Sequence, residues 1–335
     1  MTKLVITGGT GSLGRAVASL VLQDNTKLLM GAKISKIAVL SRNETQQYQM
    51  KRDFGDDIEC IIGDVRDFES LYRAFDQGCY VLHAAAIKHI DIAERNPDEA
   101  IKTNVGGAVN VANAALRKNV AKVVAISTDK ACNPNSTYGT TKLLAEKIFT
   151  SANQYESTIF SNARFGNLLG SNGSVFHLWK KLARTKQPLP VTDASMTRYF
   201  LDVRSAAKFV RDLFGIQQGG ETYIPHLNSF LINEIATYIQ PDLGKNYIGL
   251  RLGEKLHEEL LNESEFLHAR SDGNLITIEP TDPTWAYKRI AKNAKIENRF
   301  NSIHYTSIMS DTAANGSYSL STKMLRDFLD NLPDE

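Results

Sequence analysis

The glycine-rich segment from Thr7 to Gly14 reads TGGTGSLG and directly follows an apolar run near residue 1. Glycines suit such a turn because the chain bends tightly, a pyrophosphate must approach bare backbone, and the next helix must pack closely. The following residues predict a helix over 15–22. This order of strand, turn and helix predicts a dinucleotide site, with an ordinary glycine-rich turn as the alternative. The expected contacts are Gly8, Thr10, Gly11, Ser12, Leu13 and Gly14.

Apolar, β-rich runs alternate with segments of helical periodicity along the first half of the chain. The predicted strands cover 3–7, 34–40, 58–62, 80–83, 122–127 and 158–164. Strands buried on both faces of a parallel sheet have such nearly continuous apolar runs. We therefore predict an α/β fold with a doubly wound parallel (Rossmann) sheet, whose functional edge lies at the carboxyl ends of the strands.

The pattern changes near Asn167, where the sequence becomes GNLLGSNGS and continues into a basic helix. We assign residues 1–166 to a nucleotide-binding domain and residues 167–335 mainly to a smaller α/β substrate-binding domain. Apolar residues at helical spacing near 203–216 predict that this segment returns to pack on the sheet. The segment 27–35 resembles an insertion, and the tail from about residue 298 is only weakly patterned.

Charge and cysteine content exclude several classes of function. The 335 residues contain 39 Lys and Arg against 37 Asp and Glu, so there is no general field for nucleic acid or an anionic membrane. Cys60, Cys79 and Cys132 lack the paired spacing of zinc sites, and their odd number argues against a disulfide framework. No apolar signal core or membrane-spanning run is present. We expect a cytoplasmic protein without a metal, a membrane anchor or a nucleic-acid partner.

Cofactor choice is predicted from the end of the second strand, Ser41-Arg42. An NAD-selective fold usually has Asp or Glu there, whereas a guanidinium can hold a 2′-phosphate. NADP is therefore favoured, with Ser41 assisting; the alternative is a solvated Arg42 paired with Glu44. Asp64 and Val65 would lie beside the adenine, and the small residues after the fourth strand would let the dinucleotide pass: Ala84, Ala85 and Ala86.

Residues suited to proton transfer follow the fifth strand. Thr128, Asp129 and Lys130 leave the strand end together, while Tyr138 and Lys142 are four residues apart and share a helix face. A carboxylate, an amine and a phenol at one place could handle three protons. The alternatives are a helix cap or surface ion pair for Asp129-Lys130 and an exposed helical pair for Tyr138 and Lys142.

Nine segments between residues 7 and 258 carry a resemblance to a known family. In order they are TGGTGSLG, SRNE, GDVRD, HAAAIKH, STDKA, YGTTK, RFGNLLGSNGSV, TDASMTRYF and RLGEKLHE. They resemble the extended short-chain dehydrogenase/reductases, and most closely the UDP-N-acetylglucosamine 4,6-dehydratases that invert carbon 5, such as the bacterial enzymes that open pseudaminic acid biosynthesis. Relatives with retained configuration and some capsule enzymes carry Met at the position of Tyr138, so the tyrosine favours the inverting group.

The resemblance implies a role for each residue of the proton-handling set. Tyr138 would take the proton of the sugar 4-hydroxyl, with its pKa lowered from about 10 by Lys142 and the nicotinamide cation. Lys142 would also hold the nicotinamide ribose, and Thr128 the 4-oxygen. A desolvated, neutral Lys130 would remove the carbon 5 proton, and Asp129 would protonate the departing 6-hydroxyl.

Binding positions also follow from the resemblance. Arg251, and secondarily Arg198, would contact the diphosphate of a UDP-sugar. Lys88 would lie near cofactor and sugar, with Lys102 and Thr103 facing the pocket, and Leu168 would pass the nicotinamide. Further substrate contacts are Asn167, Val175, Thr192 and Glu254. His89 and His257 are interpreted as structural. Relatives form dimers and larger rings, which implies a homo-oligomer.

Two other functions remain open from the sequence. A UDP-sugar 4-epimerase would share the glycine turn and the Tyr138 and Lys142 pair, but epimerases usually carry small residues where this chain has Asp129-Lys130. A non-catalytic regulator that senses NADP would commonly lose one residue of the tyrosine and lysine pair.

Overall fold

The computed structural model describes residues 2–23, 28–29, 32–171, 174–242, 244–272, 275–282 and 285. Its strands are β1 (Thr2–Thr7), β2 (Leu28–Leu29), β3 (Ala32–Ser41), β4 (Ile58–Ile62), β5 (Tyr80–His83), β6 (Lys122–Ile126), β7 (Ile159–Ala163), β8 (Asn167–Leu169), β9 (Leu189–Val191), β10 (Thr197–Asp202), β11 (Thr222–Pro225), β12 (Asn228–Leu231), β13 (Lys245–Tyr247), β14 (Ala269–Ser271) and β15 (Leu275–Ile278).

The helices alternate with these strands through the first half of the chain. They are α1 (Ser12–Gln23), α2 (Glu44–Phe54), α3 (Phe68–Ala74), α4 (Ile90–Arg95), α5 (Pro97–Ala100), α6 (Gly107–Arg117), α7 (Thr137–Ala152), α8 (Val175–Arg184), α9 (Val203–Ile216), α10 (Ile232–Ile239) and α11 (Glu263–Phe266), with a π-helical turn at Ile101–Gly106. In the part of the chain described, no helix is both long and apolar enough to cross a bilayer.

A large sheet confirms the predicted doubly wound α/β fold. Its parallel strands run in the order β4-β3-β1-β5-β6-β7-β11, so the chain starts in the middle and builds outwards in both directions. This reversal places the strand ends after β1 and β5 on either side of one crevice. The six predicted strands are all present.

The second half of the chain contributes strands to the large sheet and one helix that packs beside it. β11, β15 and β14 extend the large sheet, the last two antiparallel, although they follow residue 167. Helix α9 packs against α1, and Val210, Leu213 and Phe214 share a core with Val17 and Val21. The chain therefore leaves the large sheet and returns to it.

A smaller unit covers the carboxyl edge of the large sheet. It contains the sheet β12-β10-β8 and the pair β13-β9, joined by α8 and α10. Its separate core is centred on Phe176, Trp179, Phe200 and Phe230. Of the segment 27–35 that resembles an insertion, residues 28–29 pair antiparallel with the start of β3. The weakly patterned tail from residue 298 lies outside the described residues.

One buried arginine joins the large sheet to the segment that follows the smaller unit. Arg164, at the end of β7, is 1% exposed and makes an ion pair of 2.6 Å with Glu146 of α7 and one of 2.7 Å with Glu265 of α11. It also donates to the Leu260 carbonyl at 2.9 Å. Burial opposes the charged form, but both carboxylates raise the pKa of Arg164 well above its usual value. The guanidinium therefore stays charged and holds three segments together.

The glycine turn owes its shape to one close approach. Gly8 has φ +67°, and a Cβ there would lie 2.7 Å from the Cα and the backbone nitrogen of Ala85. The Gly8 N–H donates to the Leu40 carbonyl at 2.8 Å, which ties the turn to the end of β3. Any side chain at Gly8 would push β1 away from the loop after β5.

We expect Gly8→Ala to destabilise the fold more than Gly78→Ala. Gly78 also has positive φ, at +72°, but no atom lies within 4 Å of its virtual Cβ, so it reports the backbone cost alone. That cost is about 1 to 2 kcal/mol, and overlap at Gly8 adds about 1 to 3 kcal/mol. Urea denaturation measures both; equal losses would contradict the close approach.

Arg164→Met should cost about 3 to 5 kcal/mol of unfolding free energy, because the buried Glu146 carboxylate and the half-buried Glu265 carboxylate lose their partner. Arg270→Met is the matched control. Arg270 pairs with Glu279 at 3.0 Å but is largely exposed, so its loss should cost about 0 to 1 kcal/mol. Both are measured by urea denaturation near neutral pH. Similar costs for the two variants would show that the buried network does not hold the segments together.

Candidate functional site

The glycine turn meets the loop after β5 at the carboxyl edge of the sheet. The Ala84 N–H donates to the Thr7 carbonyl at 3.0 Å, and the Gly11 N–H donates to the Gly8 carbonyl at 3.0 Å. Ala84, Ala85 and Ala86 are half-buried beside this turn, while Leu13 and Gly14 are buried beneath it. Thr10 is also buried, and its hydroxyl donates to the Gln46 side chain at 3.1 Å. The bare backbone and small side chains fit a dinucleotide.

The end of β3 combines one buried and one exposed residue. Ser41 is buried, and its hydroxyl accepts a hydrogen bond of 3.0 Å from Gln47. The Arg42 side chain is 59% exposed and lies 3.8 Å from the Asp64 carboxylate. The ion pair that we considered between Arg42 and Glu44 is therefore replaced by a long contact with Asp64. Arg42 remains accessible to a phosphate.

Asp64 and Val65 line the same end of the crevice. Burial tends to raise the pKa of Asp64, but hydrogen bonds from Arg66 outweigh it and lower the pKa. The closest of these bonds is 2.6 Å, so the Asp64 carboxylate that faces Arg42 already has a nearer cationic partner in Arg66. Val65 is buried, and its carbonyl accepts from Asn110 at 3.0 Å.

Thr128, Asp129 and Lys130 form a compact polar group after β6. The Thr128 hydroxyl donates to Asp129 Oδ1 at 2.9 Å and caps the 3-10 turn Asp129–Ala131. The Lys130 ammonium donates to the same oxygen at 2.9 Å and to Asn167 Oδ1 at 3.3 Å. Asp129 is 0% exposed, and its other oxygen has no hydrogen-bond partner among the described residues.

The expectation of a neutral Lys130 is wrong for this arrangement. Burial lowers the pKa of Lys130, but Asp129 and Glu258 raise it by more, so the pKa stands above its usual value. Glu258 Oε1 lies 3.4 Å from the Lys130 amine. Sequence reasoning considered desolvation but not a second carboxylate, and the amine is therefore protonated here.

The expected pairing of Tyr138 with Lys142 is also replaced. Burial raises the pKa of Tyr138, while the Lys130 charge and a hydrogen bond with Thr128 lower it. The Lys142 amine instead donates to the Ile126 carbonyl. Burial lowers the pKa of Lys142 to about 8, although Glu146 opposes this. The cation that acts on the phenol is thus Lys130, and the phenol is neutral in this structure.

The π-helical turn Ile101–Gly106 positions the loop that carries Lys88. Asn104 accepts from the Ile87 N–H at 2.8 Å and donates to Thr141 of α7 at 3.0 Å. Thr103 is buried, and its hydroxyl has no hydrogen-bond partner among the described residues. Lys102, expected to face the pocket, instead pairs with Asp98 and Glu99 on the exposed side of the helix.

The candidate substrate residues fall into two groups. Asn167, Leu168 and Thr192 are half-buried and Val175 is exposed at the start of α8, all in the smaller unit. Arg251 is largely exposed and pairs with the buried Glu254 carboxylate. Arg198 is 5% exposed and donates to the carbonyls of Thr197, Leu256 and Lys255 at 2.7, 3.1 and 2.8 Å. Of the two arginines, Arg251 is the one open to a diphosphate.

The two histidines interpreted as structural, His89 and His257, each have a defined place in the fold. His257 Nδ1 lies 2.8 Å from the Thr197 hydroxyl, and burial lowers its pKa. His89 precedes α4 as its N-terminal cap residue. In the described ranges no group of His, Cys, Asp and Glu is arranged to hold a metal ion.

Sequence reasoning missed four side chains that shape the site: Gln47, Asn104, Glu146 and Glu258. Glu146 is four residues after Lys142 on α7, and this spacing could have identified it. Glu258 is the last residue of the RLGEKLHE segment, and the resemblance of that segment to the family could have identified it. Gln47 and Asn104 hydrogen-bond distant backbone, which no local pattern indicates.

Comparison with known proteins gives a consistent relationship. Residues 4–280 match the family described as "Polysaccharide biosynthesis protein". A UDP-N-acetylglucosamine 4,6-dehydratase (inverting) from Campylobacter jejuni is 41% identical over 83% of this chain and 83% of its own length. A UDP-glucose 4-epimerase from Rickettsia bellii is 36% identical over 82% of each chain. The crystal structure of Pen from Bacillus thuringiensis superposes with a TM-score of 0.86 and 31% identity, covering 98% of this chain and 97% of that one.

The family match, over residues 4–280, includes the glycine turn, the segment from Thr128 to Lys142 and the RLGEKLHE segment. The chain is a member of the polysaccharide biosynthesis protein family within the extended short-chain dehydrogenase/reductases.

Proposed function

We propose that this protein is an NADP-dependent UDP-N-acetylglucosamine 4,6-dehydratase that inverts carbon 5. The observation that carries the proposal is the buried Asp129 and Lys130 ion pair of 2.9 Å beside Tyr138, at the strand ends that follow the glycine turn. A 4-epimerase needs a group for the 4-hydroxyl proton, whereas elimination of water also needs an acid and a base near carbons 5 and 6. The 41% identity to an inverting dehydratase supports the same assignment.

The cofactor would lie between the glycine turn and the loop Ala84–Ala86, with Arg42 toward the 2′-phosphate and Asp64 and Val65 toward the adenine. Bound nicotinamide supplies the redox chemistry, removing a hydride from sugar carbon 4 and returning one to carbon 6. Tyr138 accepts the proton of the 4-hydroxyl as a phenolate. Burial raises the pKa of Tyr138 and so opposes this form, whereas the nearby Lys130 charge and the hydrogen bond with Thr128 favour it. Thr128 hydrogen-bonds the 4-oxygen, and Lys142 holds the nicotinamide ribose.

In the resting ion pair the proton is on the Lys130 amine, whereas elimination needs a neutral amine and a protonated Asp129. One proton transfer produces that state. Moving a proton from the Lys130 amine to Asp129 across 2.9 Å produces a neutral amine and a carboxylic acid without a change in net charge. The amine then removes the carbon 5 proton, which the 4-ketone has acidified. Asp129 gives its proton to the 6-hydroxyl, which leaves as water. A solvent-derived proton reaches carbon 5 from the opposite face and inverts it.

The smaller unit would bind the UDP-sugar. Arg251 can exchange its partner Glu254 for the diphosphate, because the guanidinium is largely exposed. Lys88, Thr103, Asn167, Val175, Thr192 and Glu254 remain the proposed sugar and nucleotide contacts. We place the enzyme in the cytoplasm as a homo-oligomer, where the exposed apolar residues Val109 of α6 and Leu144 of α7 offer a contact surface.

Incubation with UDP-N-acetylglucosamine in deuterated water should yield a 6-deoxy-4-keto product with one deuterium at carbon 5 and the L-arabino configuration, read by NMR. Recovery of a simple 4-epimer would favour the epimerase, and tight NADP binding without turnover of any UDP-hexose would favour the regulator.

Lys130→Met should lower turnover about 100-fold or more, because it removes the proposed base for the carbon 5 proton. Lys102→Met removes an exposed lysine and serves as the control with normal turnover.

Arg42→Ala should weaken NADP binding about 10-fold or more and leave NAD binding nearly unchanged, because a charge-assisted hydrogen bond contributes about 1.5 to 3 kcal/mol. Arg52→Ala is the control, since Arg52 is 72% exposed on α2 and lies next to Asp53. Calorimetric titration of cofactor-depleted protein measures the affinities. Equal losses for both cofactors, or tighter binding of NAD by the unaltered protein, would refute the NADP assignment.

A further inference from the structure

Glu258 is a buried carboxylate that the smaller unit contributes to the proton-handling group. It is 1% exposed, and its Oε1 lies 3.4 Å from the Lys130 amine and 3.8 Å from Arg198 Nε. A buried carboxylate requires charged partners, because its desolvation is costly. Lys130 and Arg198, the two cations near this carboxylate, are themselves residues of the site.

The segment that carries Glu258 is held from two sides. On one side, Arg198 donates to the carbonyls of Lys255 and Leu256, and the Thr197 N–H donates to Leu256 at 3.1 Å. On the other side, the Lys255 amine donates to the Cys132 carbonyl at 2.9 Å, just after the Asp129–Ala131 turn. The position of Glu258 relative to Lys130 is therefore determined by both units of the fold.

Four charges alternate along a short line through the site. Asp129, Lys130, Glu258 and Arg198 follow one another at 2.9, 3.4 and 3.8 Å. Tyr138 also faces Lys130, and Glu254 and His257 face Arg198. When Asp129 takes up a proton, Glu258 is the carboxylate that still faces the Lys130 amine.

We propose that Glu258 is a positioning residue of this site, the second counter-ion of Lys130, and that it sets the pH at which the amine releases its proton. Its catalytic meaning rests on the proposed function, in which Lys130 must become neutral to remove the carbon 5 proton. Asp129 accepts the proton, and Glu258 with its partner Arg198 determines how readily the amine gives it up. The direction agrees with the raised pKa of Lys130.

The titration of Lys130 can be measured without any substrate. In an Asp129→Asn background, Glu258 is the carboxylate that still lies within 4 Å of the Lys130 amine among the described residues, so the amine should stay protonated to about pH 10. Adding Glu258→Gln removes the second of these two carboxylates from the largely buried amine, and its midpoint should fall by about 1 pH unit or more. NMR of protein labelled at lysine Cε reports the midpoint, with the signal identified by its absence from Lys130→Arg.

Two further variants keep the comparison specific. Glu259→Gln in the same background removes the neighbouring carboxylate, which bonds Asn133 and not Lys130, so the midpoint should not move. Glu258→Asp retains the charge at a greater distance and should give an intermediate midpoint, which also serves if Glu258→Gln does not fold. Coincident midpoints for the Glu258 and Glu259 variants would overturn the proposal.

The pH dependence of turnover tests the proposal independently of the Lys130 titration. With Asp129 intact, Glu258→Gln should move the pH dependence of carbon 5 deuterium incorporation to lower pH by about 1 unit or more, and Glu258→Asp should restore part of the shift. An unshifted profile with reduced rate at every pH would reduce Glu258 to a structural role and refute the proposal. If the unaltered protein dehydrates no UDP-sugar, the proposed function fails, while the Lys130 titration still decides the role of Glu258.

Discussion

The buried Arg164 guanidinium is the interaction on which the arrangement of the site depends. It spans the end of β7, the middle of α7 and the start of α11, and its charge is compensated by Glu146 and Glu265. Glu146 also accepts from Ser127, the residue just before the Thr128–Lys130 group, and lies one helical turn after Lys142. One set of charged hydrogen bonds therefore joins the end of β7, helix α7 and the segment that follows the smaller unit. A cation without these carboxylates could not remain at 1% exposure.

Charge state is the second property that the fold imposes on the site. Lys130, taken by itself, would lose its proton on burial, yet Asp129 and Glu258 hold it charged. Lys142 shows the opposite balance, because its chief hydrogen-bond acceptor is a carbonyl and burial lowers its pKa to about 8. Two lysines twelve residues apart thus differ in protonation tendency, because two carboxylates outweigh burial at Lys130, whereas the single carboxylate of Glu146 does not outweigh burial at Lys142.

Much of the fold and part of the site were predictable from local patterns. The six strands predicted from apolar periodicity and the helix α1 are present in the structure, and the glycine turn lies between β1 and α1 as expected. Thr128, Asp129, Lys130 and Tyr138 do meet, because residues at neighbouring strand ends and helix starts share one edge of the sheet. The partners of these residues were less predictable. Lys102 pairs with Asp98 and Glu99 one helical turn before it, a spacing that the sequence did offer. Arg198 donates to the carbonyls of Lys255 and Leu256, and these contacts depend on how separate segments pack.

The sequence by itself determined the doubly wound sheet, the place of the dinucleotide turn and the identity of the residues available for proton transfer, because short-range periodicity and glycine geometry act within a few residues. Only the tertiary structure decided which cation faces Tyr138, that Lys130 is shared by two carboxylates, and that strands from beyond residue 220 complete the large sheet. Those outcomes depend on distances between segments far apart in the chain, and electrostatic energies inside a protein change steeply with such distances and with burial.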